Sequence, residues 1–331
     1  MIVITDSTSF TGSHLLLELL KKNESVIAIK QPTSDISYTQ QVFALHHASP
    51  LFNKIQWQDI DLTKFYDVVE VFNGVDVVFH TTAQASLHQR NNKTQLFHQV
   101  KIIQNVVNAA LLQSVKRFGY VSSIATITNY FNGKGVENAP FEILTSHQPQ
   151  TLSINLSELE VWRAIQEGLP AVIINPSFIL GYSPCWHYHA SHIHDLIKKF
   201  SSYPAGTGSF IDIQDVVSIL MQLTIHTSIT NQRFILTSEN IRYHDFFKLW
   251  LEQWNIDKPL KPISKNAMLL RYYLNFMSWK KSDCFSPQTA NLLYRDITFS
   301  NEKICDTLQH AFIPIKESIK TMYDYNTFLS K

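Results

Sequence analysis

Ile4-Thr5-Asp6-Ser7-Thr8-Ser9-Phe10-Thr11-Gly12-Ser13-His14-Leu15 follows the apolar start Met1-Ile2-Val3 and leads into a helical pattern that ends near Lys22. It reads as a short buried strand, a tight turn of small and hydroxyl residues, and a helix spanning Gly12–Lys22. A strand that turns directly into a helix opens a βαβ unit. The exposed amides at such a helix start suit an anion.

The same alternation continues outward. Apolar runs at Val26–Ile29, Ile55–Trp57, Asp76–His80, Phe118–Ser122 and Ala171–Asn175 read as strands, the last stopped by Pro176. Helical patterns cover Leu96–Ser114 and Leu156–Gln166, the second closed by Gly168. Strands alternating with helices predict an α/β fold: a Rossmann-type, doubly wound parallel sheet with right-handed crossovers. After Pro176 the pattern loosens. Phe234–Thr237 reads as a return to the sheet, and His244–Trp254 and Ile315–Leu329 as helices. The expected division is a nucleotide-binding domain over 1–180, rejoined by about 210–240, and a smaller, mostly helical lobe over 181–331.

Of 331 residues, 45% are hydrophobic and 17% charged, enough to build a large core. The net charge of +1 leaves no electrostatic footprint for nucleic acid or an anionic membrane. Cys185, Cys284 and Cys305 are too few and too far apart for a disulfide framework or a zinc ribbon. The most apolar stretch, Ala267–Trp279, is interrupted by Arg271 and Asn275 and is shorter than the roughly 20 residues of a membrane span. It reads as a buried or partner-facing helix. With no basic, apolar leader at the start, the expectation is a cytoplasmic protein. Glycine is scarce, at nine residues, for a chain whose backbone would approach phosphates.

The opening stretch resembles the fingerprint T-G-x-x-G-x-x-G-x-x-L of the extended short-chain dehydrogenases/reductases. Asp61-Leu62, Gly74–His80 with Thr81, Thr82 and Ala83, Val121-Ser122-Ser123-Ile124, Gly168–Pro176 with Gly181, and Gly206–Val216 resemble further landmarks in the same order. The match is similar to the NAD-dependent epimerase/dehydratase and hydroxysteroid-dehydrogenase-like members. The resemblance implies an NAD(P)-dependent oxidoreductase or epimerase ancestry. It places a dinucleotide against Asp6, Ser9, Phe10, Thr11, Gly12, Thr81, Thr82, Ala83 and Pro176, with adenine near Asp61 and Leu62. It also puts Lys30 where a 2′-phosphate of NADP would bind, and Ser123 at the catalytic serine.

The departures are chemical. Asp6, Ser9 and Gly12 stand at the three fingerprint glycines, so only the glycine for helix–strand packing remains. Asp6 puts a carboxylate beside the expected pyrophosphate, or else caps the helix or turn. The family's catalytic Tyr-x-x-x-Lys precedes a helix that here reads Leu156–Arg163. Counting back from Glu158 puts Gln150 at the tyrosine and Ile154 at the lysine. Neither can move or tune a proton. Gln99 stands at a family asparagine. The one literal match, Tyr130-Phe-Asn-Gly-Lys134, lies too close to Ser123 and reads as chance.

His187, His189, His192 and His194 leave three readings open: a metal site, a substitute acid/base, or a polar loop entering a helix. The expectation is a pseudoenzyme that binds a small molecule or protein partner, with NAD or NADP binding weak or lost and no metal. The alternative is an active oxidoreductase or epimerase that pairs Ser123 with a relocated acid, Tyr182, Tyr188 or one of these histidines. A third option is a homodimeric scaffold using the Ala267–Trp279 helix.

Overall fold

The computed structural model describes residues 1–81, 93–127, 130–139, 149–182, 202–270 and 293–329. Seven parallel strands form the central sheet: β1 (Ile2–Thr5), β2 (Val26–Lys30), β3 (Gln56–Asp59), β4 (Val77–Thr81), β5 (Arg117–Val121), β6 (Ala171–Pro176) and β7 (Gln232–Leu236). Their order is β7-β6-β5-β4-β1-β2-β3. The chain therefore starts in the middle, builds one half outward, then crosses back past β1 to build the other. The crevice where the order reverses lies between β1 and β4, at their carboxyl ends.

Covering a parallel sheet on both faces requires strands apolar on both sides. β1 and β6 meet that requirement, with every residue buried. On one face, helix α1 (Phe10–Lys21) inserts Leu15, Leu16 and Leu19, beside α2 (Ser37–Leu45), the one-turn α3 (Ser49–Phe52) and, further along the chain, α7 (Ile213–Met221). The other face is covered by α4 (Phe65–Val71), α5 (Lys93–Leu112) and α6 (Pro149–Gln166). Gly12 lets α1 sit against its own turn, because a Cβ there would collide with the Asp6 carbonyl oxygen. After α6 the chain reverses at Gly168, whose φ of 106° is open only to glycine.

A separate apolar cluster supports the C-terminal part. Phe210, Phe246 and Trp250 pack against Ile315, Ile319 and Met322, and the Phe210 and Phe246 rings stack at 4.2 Å. These residues come from α8 (Tyr243–Gln253), α10 (Ile315–Leu329) and a three-stranded sheet of residues 178–180, 207–212 and 239–242. The short α9 (Glu302–Leu308) packs against β7.

The α5 helix begins at Lys93 rather than Leu96, and α4 has no counterpart in the sequence reading. α6 begins at Pro149 rather than Leu156, because proline fits a first helical turn where its missing N–H is not needed. Of the expected Ala267–Trp279 helix, 267–270 are helical and the remainder lies outside the described residues. Among the described residues no helix is long and apolar enough to cross a membrane.

Candidate functional site

The crevice begins at the turn between β1 and α1. The Ser7 amide donates to the Ile29 carbonyl on β2 (2.9 Å), and the Ser9 amide donates to the Asp6 carbonyl (3.1 Å). From β4, the Thr81 hydroxyl donates to the carbonyls of Thr5 (3.0 Å) and Asp6 (3.3 Å). The loop is thus tied to both neighbouring strands. Asp6 adopts the left-handed conformation, φ 59°, which aspartate tolerates better than most side chains.

The N-cap of α1 is Ser9, not Asp6. The Ser9 Oγ accepts from the Gly12 amide at 3.0 Å, because a hydroxyl three residues ahead of an orphan amide is placed to satisfy it. One of the amides that would otherwise face an anion is therefore already bonded. The Asp6 side chain is partly exposed, yet burial pushes its pKa up to about 7. Phe10 lies edge-on to His14 at 5.3 Å, and Thr11 is buried in the first turn of the helix.

Beneath the turn, His80 Nδ1 bonds to the Thr5 hydroxyl at 2.7 Å, and its ring stacks on Tyr120 at 5.8 Å. Burial lowers the His80 pKa to about 4, so the imidazole is neutral near pH 7.

Lys30 pairs with Asp59, its register partner on β3, so the cation expected for a 2′-phosphate is already matched to a carboxylate. Asp61 accepts from the Thr63 amide and hydroxyl through Oδ1, at 3.0 and 2.7 Å, which hold its carboxyl below the usual range. Leu62 is buried in the core, and its carbonyl accepts from Asn105 on α5 at 2.9 Å. Pro176 ends β6 as a buried residue. Thr82 and Ala83 lie outside the described residues.

Ser123 follows β5 and caps a short 3-10 turn, its Oγ accepting from the Ala125 amide at 3.2 Å. Below it lies a group of polar residues that sequence reasoning missed. Glu158, fully buried on α6, accepts through Oε2 from Ser122 Oγ (2.5 Å), Thr126 Oγ1 (2.8 Å) and Asn175 Nδ2 (2.8 Å). Its Oε1 accepts from Trp162 Nε1 at 3.2 Å and lies 3.6 Å from the Arg233 guanidinium on β7. Arg233 also donates to the Glu137 and Ala139 carbonyls at 2.7 and 2.8 Å. A buried carboxylate is tolerable only with this density of donors.

This contact fixes the rotation of α6 against the Ser122-Ser123 pair. Ile154 lies one turn before Glu158 and is partly buried, and the backbone of Gln150 lies one turn earlier again.

The literal motif Tyr130-x-x-x-Lys134 is a hairpin and not part of a helix. Residues 130–131 and 134–135 pair antiparallel across Asn132 (φ 50°) and Gly133 (φ 77°). Its lysine bonds to Glu302 at 2.7 Å, and its tyrosine ring lies edge-on to Phe299 at 6.0 Å. Tyr182 is buried, its ring edge-on to Tyr325 of α10 at 5.6 Å. Gln99 is partly buried on α5. Tyr188, His187, His189, His192 and His194, with Cys185 and Cys284, lie outside the described residues, and Cys305 is a free thiol. Among the described residues no group of three or more His, Cys, Asp or Glu is placed to hold a metal ion.

The fold agrees with comparisons across known proteins. A putative dihydroflavonol 4-reductase of Synechocystis is 28% identical over 249 residues, spanning 72% of this chain and 68% of that protein. A 3beta-hydroxysteroid-dehydrogenase/decarboxylase of Arabidopsis thaliana is 24% identical, spanning 97% of this chain and 78% of its own length. The fold matches that of yeast methylglyoxal/isovaleraldehyde reductase, solved with NADPH, at a TM-score of 0.74 and 16% identity over 99% of this chain and 98% of the other. Residues 2–231 match the model of the NAD dependent epimerase/dehydratase family, and the chain belongs to that family.

Proposed function

We propose that this protein keeps the family's ligand crevice but not its hydride-transfer and epimerisation chemistry, and acts by binding a small molecule or a protein partner. One observation carries the reading. The Glu158 contact with Ser122 holds α6 against the Ser122-Ser123 pair, and counting back one turn from Glu158 assigns an alkyl side chain, Ile154, to the family's lysine, which supports the reading. An alkyl group neither lowers the pKa of an acid nor holds a ribose hydroxyl. The same count assigns Gln150, with no titratable proton, to the tyrosine.

Weak or lost NAD(P) binding belongs to this proposal and is supported by Asp6 at the phosphate turn, the Ser9 cap on the Gly12 amide, and the Lys30–Asp59 pair. So do a cofactor domain over 1–180, a substrate lobe over 181–331, and a cytoplasmic location. Ser123 would serve as a hydrogen-bond donor to a bound ligand's carbonyl. Its test is a turnover assay of the purified protein with NADH or NADPH against hydroxysteroids, nucleotide sugars and aldehydes. The expected result is cofactor oxidation at the buffer rate. Turnover on the order of 1–10³ s⁻¹, the ordinary enzyme range, would overturn it.

A further inference from the structure

Four residues from four parts of the chain close a ring where α10 meets α1 and α2. His14 of α1 lies edge-on to His46, the residue that follows α2, at 5.9 Å. His46 lies edge-on to Tyr325 of α10 at 5.6 Å, and Tyr325 lies edge-on to Tyr182 at 5.6 Å. The ring closes because the His14 imidazole is hydrogen-bonded to the Tyr182 backbone. His14 is buried, and its Nε2 has no hydrogen-bond partner. His46 is half-buried, and its neighbour His47 is exposed. Among the described residues no carboxylate is bonded to either imidazole. On α1, Glu18 is paired with Lys21 at 2.7 Å. On α7, Asp212 accepts from the Gln214 amide at 2.8 Å and acts on Tyr325 rather than on the histidines.

We infer that this ring is an acid-sensitive latch: with both imidazoles neutral it holds the end of α10 against α1 and α2, and a proton on His14 opens it. The earlier turns of α10 are anchored elsewhere, where Ile315, Ile319 and Met322 pack with Phe246 and Trp250. Tyr325 carries the last turns across to the two groups that flank His14, the His46 ring and Tyr182. A proton on His14 would bury a charge whose Nε2–H faces no acceptor, with His46 as a second site of positive charge beside it. Opening the ring lets water solvate that charge. The direction in pH follows. Burial first, then His46, holds the His14 pKa down at about 3, below its ordinary 6.5, so the closed ring binds fewer protons than the open one between those values. Closure is fully favoured above about pH 6.5 and is lost as the pH falls toward His14's folded value. Burial and Lys21 lower His46 as well, against the opposing charge of Glu18. The latch holds whether or not hydride chemistry is kept, so its test reads helix opening alone.

The experiment is amide hydrogen exchange of the full chain, read by mass spectrometry between about pH 7.5 and pH 4.5 and corrected for the intrinsic pH dependence of exchange. In wild type, opening of the last turns of α10 should rise about tenfold or more between about pH 6.5 and pH 4.5, while peptides from β1 and β6 stay protected. His14→Gln keeps an amide N–H for the Tyr182 carbonyl but has nothing to titrate, and it should lose most of that rise. His46→Gln should lose part of it, and His47→Gln, on the exposed neighbour, none. Tyr325→Ala should already be open at about pH 7.5. Circular dichroism confirms that each variant is folded. If His14→Gln does not fold, His46→Gln against wild type decides, because an unchanged rise there contradicts a latch built on both imidazoles. A wild-type helix that stays equally closed across the range, a His14→Gln response equal to wild type, or exposure of β1 and β6 together with α10 would overturn the inference.

Discussion

The floor beneath Ser123, after β5, and the turn after β1 lie on either side of β4 in the same sheet, and they handle an acidic residue in opposite ways. Glu158 is fully buried, and its oxygens meet three donors through Oε2 and an indole and a guanidinium through Oε1. Asp6 is partly buried, with a carboxyl raised toward neutrality by burial and no cation beside it among the described residues. The floor joins β5, β6, β7 and α6 and holds the fold together. The turn is held in place through backbone bonds and the Ser9 cap, with the Asp6 side chain partly exposed. One acid is thus braced by side chains from several elements, and the other is held only through its backbone.

The largest expected effect lies at the floor. Replacing Glu158 with alanine strands Arg233 and three polar donors, and breaking a buried pair in this way costs about 3–5 kcal/mol. Denaturant unfolding should show that loss. A loss below about 1 kcal/mol would mean that the network does not brace the sheet.

Next comes Asp6. Its folded pKa of about 7 lies above the unfolded value of 3.8, so the folded state binds more protons between those pH values. Stability contributed by this group is fully present below about pH 4, falls as pH rises, and levels off above about pH 7. Asp6→Asn should therefore raise Tm by a few degrees at pH 8 and hardly at all at pH 4, a difference that thermal melts at the two pH values would read. An equal change at both pH values would contradict the assignment of Asp6 as a burial-strained acid.

Smaller again is the Lys30–Asp59 pair. With Asp59 61% exposed, Asp59→Ala should cost less than about 1 kcal/mol in chemical unfolding, while freeing the Lys30 ammonium. If the pair is what keeps Lys30 from a 2′-phosphate, this variant gains affinity for NADP⁺ over NAD⁺ in titration. The smallest effect is expected at the false motif. Tyr130→Phe removes a half-buried hydroxyl that bonds the Arg295 side chain, so unfolding stability should fall by no more than about 1 kcal/mol and ligand affinity should stay within error of wild type.

The sheet was legible because strands covered on both faces read as uninterrupted apolar runs, as in Ile2–Thr5 and Ala171–Pro176. The α4 helix was not, since it buries only Val68 and carries little periodic signal. At the site, the turn was legible because its residues are contiguous and their spacing is fixed by a strand–helix junction. The sequence reading offers Asp6 as a cap of the helix or turn, whereas the helix cap is Ser9, whose Oγ lies three residues before the orphan Gly12 amide. The Lys30–Asp59 pair depends on the β2–β3 register, and the Glu158–Arg233 contact joins residues on opposite sides of a long chain interval. Neither has a local signature. Glu158 served the sequence only as a counting mark, and its brace became visible once β5, β6 and α6 were assembled.

The central claim is that the scaffold persists while the groups that move protons do not. Its most direct test is the rate of NAD(P)H oxidation by wild type and by the Gln150→Tyr/Ile154→Lys variant, measured side by side on one substrate panel. The account predicts wild type at the buffer rate and a gain of about 10²-fold or more when the acid and its tuning lysine are supplied. Wild-type turnover at ordinary enzyme rates, unchanged by the two substitutions, would contradict it.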